Sequence, residues 1–207
     1  MEWLNLESLA VLLSVGYLVL AVRENSMCWY LAFFSTSIYV YIFAGVSLYM
    51  ESFLNVYYMG MAMYGWYQWK RAGLHGVGCD ICNWPLSRHL FVVIAIFAVS
   101  SISAEVLKAF TDARFPFLDS LTTWGSIVAT VMVARKVLEN WLYWMVIDAL
   151  SIFIFIDREL YQTAGLFSFY LIVAAIGYFS WRKINRQESK RVPRAIIASM
   201  EGLEEDK

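Results

Sequence analysis

The sequence is poor in cysteine, proline, histidine and charge. Its 207 residues include three cysteines, three prolines and two histidines, and only 16% are charged. Three cysteines are too few for a disulfide framework. Cys79 and Cys82 lie between His75 and His89, but these histidines are poorly spaced for zinc, so neither a metal nor another cofactor is predicted. No nucleic-acid partner is predicted either.

Apolar residues are abundant. They make up 60% of the chain, the mean hydropathy is +0.57, and they fall in long blocks. This composition is typical of a polytopic membrane protein, whose main partner is the lipid bilayer. The opening residues MEWLNLESLA contain neither a cationic segment nor a cleavage motif. The first apolar block is therefore expected to remain as a transmembrane helix.

The apolar blocks have the length of membrane-spanning helices. Windows of roughly 20 residues, the length needed to cross the hydrocarbon, predict an all-α protein with seven transmembrane helices. A spanning segment must satisfy its backbone hydrogen bonds internally, and the blocks are too long for barrel strands. The predicted spans are residues 5–22, 28–46, 52–69, 88–108, 117–134, 140–156 and 160–181.

The distribution of lysine and arginine predicts the orientation. With the N-terminus outside, most basic residues follow the first, third, fifth and seventh helices, on the cytoplasmic side. The opposite side then holds only Lys108, Arg114 and Arg158. The positive-inside rule therefore favours an outside N-terminus and a cytoplasmic C-terminus.

The chain resembles itself at an offset of 112 residues. Trp29 aligns with Trp141 and Gly65 with Gly177, and basic residues coincide where the helices end. Because three helices and a linker helix make an even number of crossings, both halves enter from the same side. We expect parallel repeats with a site at their interface, although duplication could also serve only to stabilise the bundle. The predicted segments are a first repeat (1–72), a cytoplasmic loop and linker helix (73–113), a second repeat (114–184) and a cytoplasmic tail (185–207).

One face of the sixth helix carries an unusual set of side chains. At about 100° per residue, Trp141, Trp144 and Asp148 share this face, with Ser151 at its edge. A carboxylate at membrane depth costs about 2.5 to 3.5 kcal/mol, and indole rings attract cations and stack on flat rings. The face predicts a site for a cation or a heteroaromatic ring. The indoles could instead belong to an interfacial belt, and Asp148 could be structural.

Other polar residues are weaker candidates for substrate binding. Thr36 is the repeat equivalent of Asp148. Asp119 lies in the first turn of the fifth helix, where it could equally favour the helix N-terminus. The third helix offers a set of side chains that could bind substrate or pack within the bundle: Asn55, Tyr57, Met61, Tyr64 and Gln68.

Three segments give the chain a family likeness. YGWYQW (64–69), FPFLDS (115–120) and RKVLENWLYWMVID (135–148) resemble the Pnu-type, PnuC-like vitamin transporters, and the likeness covers nearly the whole chain. The resemblance implies a 3+1+3 fold like a full-length SWEET transporter, in the bacterial inner membrane. It also implies vitamin uptake by facilitated diffusion, with trapping by cytoplasmic phosphorylation. Whether the chain works as a monomer or a homo-oligomer is left open.

The same resemblance bears on which vitamin is carried. A family signature of two tryptophans and an asparagine falls on Trp141, Trp144 and Asp148, so an aspartate replaces the asparagine. A second departure is Ala62, where riboside transporters carry an asparagine. These changes favour thiamine, with a permanent thiazolium charge, and hence the thiamine-transporting PnuT subgroup. Nicotinamide riboside, also cationic, is the alternative within the family.

Two other classes of function are alternatives to passive vitamin transport. A proton-coupled symporter could use Asp148 as its proton carrier. An enzyme is not expected, because the sequence shows no paired carboxylates and no metalloprotease motif.

Overall fold

The protein consists of seven α-helices over the residues that the structure describes. The structure is a computed structural model that describes residues 2–45, 49–74, 81–110, 115–157 and 161–205. The predicted all-α class is confirmed. The helices are α1 (Glu2–Val22), α2 (Cys28–Gly45), α3 (Tyr49–Leu74), α4 (Leu86–Phe110), α5 (Pro116–Ala134), α6 (Asn140–Asp157) and α7 (Tyr161–Glu205).

The predicted helix boundaries differ most at the C-terminal end. The last span was predicted to end near residue 181, but α7 continues to Glu205 as one helix of 45 residues. The charged residues after Trp181 mark the limit of a span, because charge is costly in hydrocarbon. Lysine, arginine, glutamate and glutamine are nevertheless good helix formers in water. A loss of hydropathy therefore indicates where a span ends but not where its helix ends.

Four helices are long and apolar enough to cross a membrane among the described residues. They are Leu86–Phe110, Pro116–Ala134, Asn140–Asp157 and the part of α7 from Ala164 to Gln187. Shorter apolar stretches occur at Ser8–Val22 and Cys28–Ile42. The structure thus has the helices of a multi-pass membrane protein, and the count of seven spans stays a prediction.

The helices form two three-helix groups and one peripheral helix. Helix α2 packs on α1 and α3, and α6 packs on α5 and α7. The groups meet at two places, α3 with α5 and α1 with α7. Because α1 corresponds to α5 and α3 to α7 in the sequence register, these two interfaces are equivalent. Helix α4 packs against α5.

A tryptophan packs on a glycine in each group. A Cβ added to Gly65 would overlap the indole of Trp29, and one added to Gly177 would lie 2.7 Å from the indole of Trp141. Trp29 and Trp141 are each only 2% exposed. The glycines are therefore needed for α3 to approach α2 and for α7 to approach α6, at positions 112 residues apart.

The turns that join the first two helices of each group also correspond. The Asn25 amide donates to the Leu20 carbonyl at 2.9 Å, and the Val137 amide donates to Met132 at the same distance. Glu24 and Lys136, also 112 residues apart, both have positive φ, at 57° and 51°. Their side chains form an ion pair. This pair connects the two turns and therefore the two groups.

The described part of the segment before α4 is hydrogen-bonded to the second group. Cys82 exchanges two backbone hydrogen bonds with the turn after α5, from its amide to Lys136 at 3.0 Å and from the Leu138 amide at 2.9 Å. The Asn83 side-chain amide donates to Glu139 at 2.7 Å and accepts from Asn185 at 2.7 Å. These hydrogen bonds hold the start of α4 against the second three-helix group.

Candidate functional site

A cavity lies between the two three-helix groups. Its volume is about 640 Å³, within the range of sites that bind small molecules. It is lined by residues of α1, α2, α3, α5, α6 and α7. Because both groups contribute three helices, a ligand in this cavity would contact both halves at once.

Asp148 is the charged residue in the described lining of the cavity. It is only 3% exposed, and Ser151, one turn further along α6, is 7% exposed and also lines the cavity. Among the described residues, the Asp148 carboxylate has neither a hydrogen bond nor an ion pair. A buried carboxylate is costly without a partner. The cavity can therefore supply a counter-charge to a cation.

Aromatic side chains surround the part of the cavity that α6 and α7 contribute. Trp144, Phe155, Phe167 and Tyr170 all line it, and the rings of Phe155 and Phe167 lie 5.0 Å apart. Aromatic faces stack on flat rings and attract cations. The second group thus combines a carboxylate with rings, a combination that suits a flat cation.

Six of the residues that the sequence singled out come together in this cavity. Trp144, Asp148 and Ser151 lie along one face of α6, as the helical spacing predicts. Trp141 lies at the cavity end nearest the start of α6. The first group contributes Thr36 from α2 and Asn55 from α3.

The other candidates on α3 lie outside the described lining of the cavity. The Tyr57 hydroxyl donates to the Ile127 carbonyl of α5 at 3.1 Å. Gln68 donates to the Tyr64 hydroxyl at 2.9 Å, and Met61 packs against the buried core. The cavity-facing tyrosine of α3 is Tyr58. One residue along a helix turns the face by about 100°, which separates Tyr57 from Tyr58.

The remaining polar candidates also lie elsewhere. Asp119 is in the first turn of α5 and is not part of the described cavity lining. The Nδ1 atom of His89 is hydrogen-bonded to the Tyr143 hydroxyl at 3.1 Å, and its Nε2 atom lies 3.7 Å from the Glu139 carboxylate. Cys79 and His75 lie outside the described residues. Among those described, no group of three metal-ligating side chains is found.

Several cavity residues were not singled out from the sequence. The hydroxyl-bearing ones are tyrosines, serines and threonines that apolar helices commonly carry. One signal was available, because the lining follows the 112-residue register: Ser14 matches Ser126 and Tyr58 matches Tyr170. The residues missed are Ser14, Tyr17, Trp29, Ser35, Tyr58, Thr122, Thr123, Ser126, Thr130, Phe167 and Tyr170.

Comparison with protein families identifies the class. Residues 4–183 match the family described as "Nicotinamide mononucleotide transporter". The chain belongs to this family, whose characterised members are membrane transporters of vitamins. The resemblance of the sequence to Pnu-type transporters is thereby confirmed at the level of the family, and a transporter agrees with the expectation of a non-enzyme.

Individual relatives carry different vitamins. The chain is 24% identical to "Nicotinamide riboside transporter PnuC" of Escherichia coli (strain K12), over 92% of this chain and 90% of the relative. It is 25% identical to "Riboflavin/roseoflavin transporter RibM" of Streptomyces davaonensis, over 93% and 97%. The family therefore carries more than one substrate, and these likenesses leave the vitamin of this chain undecided.

A solved structure supports the fold. The "Crystal structure of the Vitamin B3 transporter PnuC" matches with a TM-score of 0.69 and 23% identity, over 88% of this chain and 82% of that one. The likeness bears on the arrangement of the helices and agrees with a multi-pass membrane protein.

Proposed function

We propose that this protein takes up a cationic vitamin, thiamine before any other, through the cavity between its two three-helix groups. One observation carries the proposal. The buried Asp148 carboxylate lines the cavity and has no hydrogen bond or ion pair among the described residues. A ligand cation would provide the missing counter-charge, and the cost of an unpaired buried charge would favour the bound state.

Thiamine fits the chemistry of the lining. Its thiazolium ring is permanently charged, its aminopyrimidine is flat, and both parts can meet the aromatic residues beside Asp148. Indoles and other rings bind such cations by about 0.5 to 2 kcal/mol each. The aspartate at a position where the family signature has asparagine supports thiamine. The thiamine-transporting subgroup is therefore the proposed place of this chain within the family.

Nicotinamide riboside is the second candidate. It is the substrate in the printed name of the relative from Escherichia coli, and its pyridinium ring is also a flat cation. Riboflavin, named for the Streptomyces relative, is neutral and gains least from a carboxylate. A difference in charge is therefore expected to make riboflavin bind more weakly than the two cations. A difference in hydrogen bonding must decide which of the two cations binds more tightly.

The proposed mode of transport is facilitated diffusion in the bacterial inner membrane. Two parallel repeats that rock about the cavity would expose it to either side in turn. The equivalent contacts of α1 with α7 and of α3 with α5 support this arrangement. The N-terminus is outside, the C-terminus is cytoplasmic, and phosphorylation inside the cell keeps the vitamin from leaving.

The buried position of Asp148 also suits a proton carrier, so proton-coupled symport is a distinct alternative. It predicts that proteoliposomes accumulate thiamine when a pH gradient is imposed and lose it when an uncoupler is added. Facilitated diffusion predicts equal concentrations inside and outside under both conditions. The final concentration ratio of labelled thiamine therefore distinguishes the two modes.

Ligand titration of the purified protein tests the substrate. Thiamine, nicotinamide riboside and riboflavin are titrated separately, and binding is followed by tryptophan fluorescence, since three indoles line the cavity. Thiamine is expected to bind most tightly and riboflavin most weakly. Tightest binding of riboflavin, or no quenching by any of the three, would refute the proposal.

A further inference from the structure

The hydroxyl groups of the cavity wall are oriented by the helices that carry them. A serine or threonine in a helix commonly donates its proton to the carbonyl three or four residues earlier. Because a carbonyl oxygen only accepts, the direction of each such bond is fixed by chemistry. The hydroxyl oxygen then offers only its lone pairs to a ligand.

The four hydroxyls that α5 contributes to the described lining follow this pattern. Thr123 donates to the Asp119 carbonyl at 2.8 Å, and Ser126 donates to Thr122 at 2.8 Å. Thr130 donates to the Ser126 carbonyl at 2.7 Å, and Thr122 donates to Leu118 at 3.0 Å. All four line the cavity, so this wall presents four hydroxyl oxygens as acceptors.

The first group adds three hydroxyls of the same kind. Thr36 donates to the Ala32 carbonyl at 2.8 Å. Ser35 donates to the Ala10 carbonyl at 2.9 Å, which uses its single proton. The Ser14 hydroxyl, 2.6 Å from Ser35, must therefore be the donor in that pair. With the Asp148 carboxylate, eight acceptors line the cavity.

We propose that the cavity selects its ligand by hydrogen-bond donors, chiefly an amino or amide N–H group on a flat ring of a cationic molecule. The inference rests on the proposed function, because it concerns the ligand that the cavity would carry. The remaining polar groups of the lining do not reverse this balance. They are Ser151, Asn55, three tyrosine hydroxyls and the indole N–H groups of Trp29, Trp141 and Trp144. The Trp29 and Trp141 N–H groups have no hydrogen-bond partner among the described residues. Hydroxyls can accept as well as donate, so the groups that only donate are three indoles, against eight acceptors. A ring with a carbonyl in place of the amine would bring its own acceptor against the acceptors of the lining. The hydrogen bond that the amine would donate would then be lost.

Matched ligand pairs test this selectivity on the unaltered protein, so no variant has to fold. Thiamine is compared with oxythiamine, in which a carbonyl replaces the amine of the pyrimidine, and with pyrithiamine, which keeps both amine and cation. Oxythiamine is expected to bind at least about tenfold more weakly than thiamine, the scale of a lost charge-assisted hydrogen bond. Pyrithiamine is expected to bind within about threefold of thiamine.

A second pair of ligands tests the selectivity for donors even if thiamine is not the vitamin that the protein carries. Nicotinamide riboside is compared with 3-acetylpyridine riboside, which replaces the amide nitrogen by a methyl group and keeps the charge. If thiamine does not bind but this pair differs about tenfold, the choice of thiamine fails and the selectivity for donors stands. Equal affinities within whichever pair binds would overturn the selectivity. Absence of binding by both vitamins would overturn both proposals.

A different cluster carries a second inference. Four tryptophans occupy the end of the cavity where α1 and α5 end. Trp29 and Trp141 line the cavity. The centre of the Trp69 ring lies 5.5 Å from that of Trp29 and 6.0 Å from that of Trp181. The Trp181 ring in turn lies 5.4 Å from the Trp141 ring. The Trp69 indole donates to the Val133 carbonyl at 3.3 Å, and the Trp181 indole donates to Ala21 at 3.0 Å. Each of these bonds joins one group to the other.

The ion pair of Glu24 and Lys136 lies beside this cluster. The Lys136 ammonium is 5.0 Å from the Trp69 ring, and both charged side chains are largely buried, at 16% and 11% exposed. The geometry points to a gate at this end of the cavity, cytoplasmic in the proposed orientation, with the tryptophans as its closed surface and the ion pair as its latch. Opening would separate the two turns and break the ion pair.

Reversible crosslinking tests the gate. Glu24→Cys and Lys136→Cys are combined in a protein whose Cys79 and Cys82 are replaced by serine, and joined by a short bis-methanethiosulfonate. The joined protein is expected to stop transporting thiamine in proteoliposomes, to keep binding it, and to recover after reduction. Single-cysteine variants serve as controls. Unchanged transport by the joined protein would overturn the gate.

A variant without crosslinking gives an independent measurement if the cysteine protein does not fold. Glu24→Gln removes the negative charge of the ion pair and keeps the shape of the side chain. If the ion pair belongs to a gate, this variant is expected to change the rate of thiamine exchange by severalfold and to leave the affinity for thiamine unchanged. An unchanged exchange rate would contradict the role of the ion pair.

Discussion

The first and second three-helix groups share their packing and differ in their chemistry. Each group packs a tryptophan on a glycine, and each sends an indole N–H to a carbonyl of the other. In the cavity, however, Thr36 stands where the second group has Asp148, and Asn55 stands where it has Phe167. The contacts that hold the helices together are thus equivalent, and the residues that would bind a ligand are not.

This difference indicates how a bundle of two similarly packed groups can bind an asymmetric molecule. Close helix packing leaves little freedom, because a larger side chain at the glycines would collide with an indole. The cavity wall has no such constraint, so its side chains can diverge between the groups. A charged ring would be bound mainly by the second group, and the first would supply smaller polar contacts.

The largest expected effect comes from breaking the shared packing. Gly65→Ala and Gly177→Ala each force a methyl group against an indole, and overpacking of this kind costs about 1 to 3 kcal/mol. Both variants are expected to unfold at clearly lower temperature than the parent protein. Scanning fluorimetry in detergent measures the unfolding temperature.

Two other glycines provide the control for these variants. An added Cβ meets nothing within 4 Å at Gly60 in α3 or at Gly165 in α7. Gly60→Ala and Gly165→Ala should leave stability unchanged or raise it by up to about 1 kcal/mol, because alanine favours helix. If all four variants behaved alike, the close packing of tryptophan on glycine would not be what stabilises either group.

A smaller effect is expected from the indole hydrogen bonds between the groups. Trp181→Phe and Trp69→Phe keep an aromatic ring and remove the donor, a loss of about 1 kcal/mol each. Trp181 is fully buried and its bond is the shorter one, so its variant is expected to lose more stability. Chemical unfolding followed by circular dichroism compares them, and a larger loss in Trp69→Phe would contradict this ranking.

Much of the fold follows from the sequence because apolar blocks of a given length have few structural alternatives in a membrane. The start of α6 at Asn140 and the end of α1 at Val22 agree with the predicted spans. The continuation of α7 to Glu205 was missed, because hydropathy measures compatibility with hydrocarbon and not helix formation. The docking of Asn83 on Glu139 depends on contacts between distant residues, which periodicity does not reveal.

The candidate site was predictable where charge and helical spacing acted together. Asp148 is conspicuous in an apolar helix, and its spacing from Trp144 and Ser151 places all three on one face. On α3 no charge marks the face, and Tyr57 was chosen where Tyr58 lines the cavity. Tyr17 was missed because a tyrosine within an apolar helix carries no signal of its own.

The most direct test of the account is the affinity of thiamine for Asp148→Asn, measured by isothermal titration calorimetry. Glu105→Gln serves as the control, because Glu105 is an exposed carboxylate of α4 that pairs with Lys108 outside the described lining of the cavity. Loss of a charge-assisted contact of about 1.5 to 3 kcal/mol predicts binding weakened by roughly ten- to a hundredfold in Asp148→Asn and unchanged binding in Glu105→Gln. Wild-type affinity in a folded Asp148→Asn protein would contradict the account.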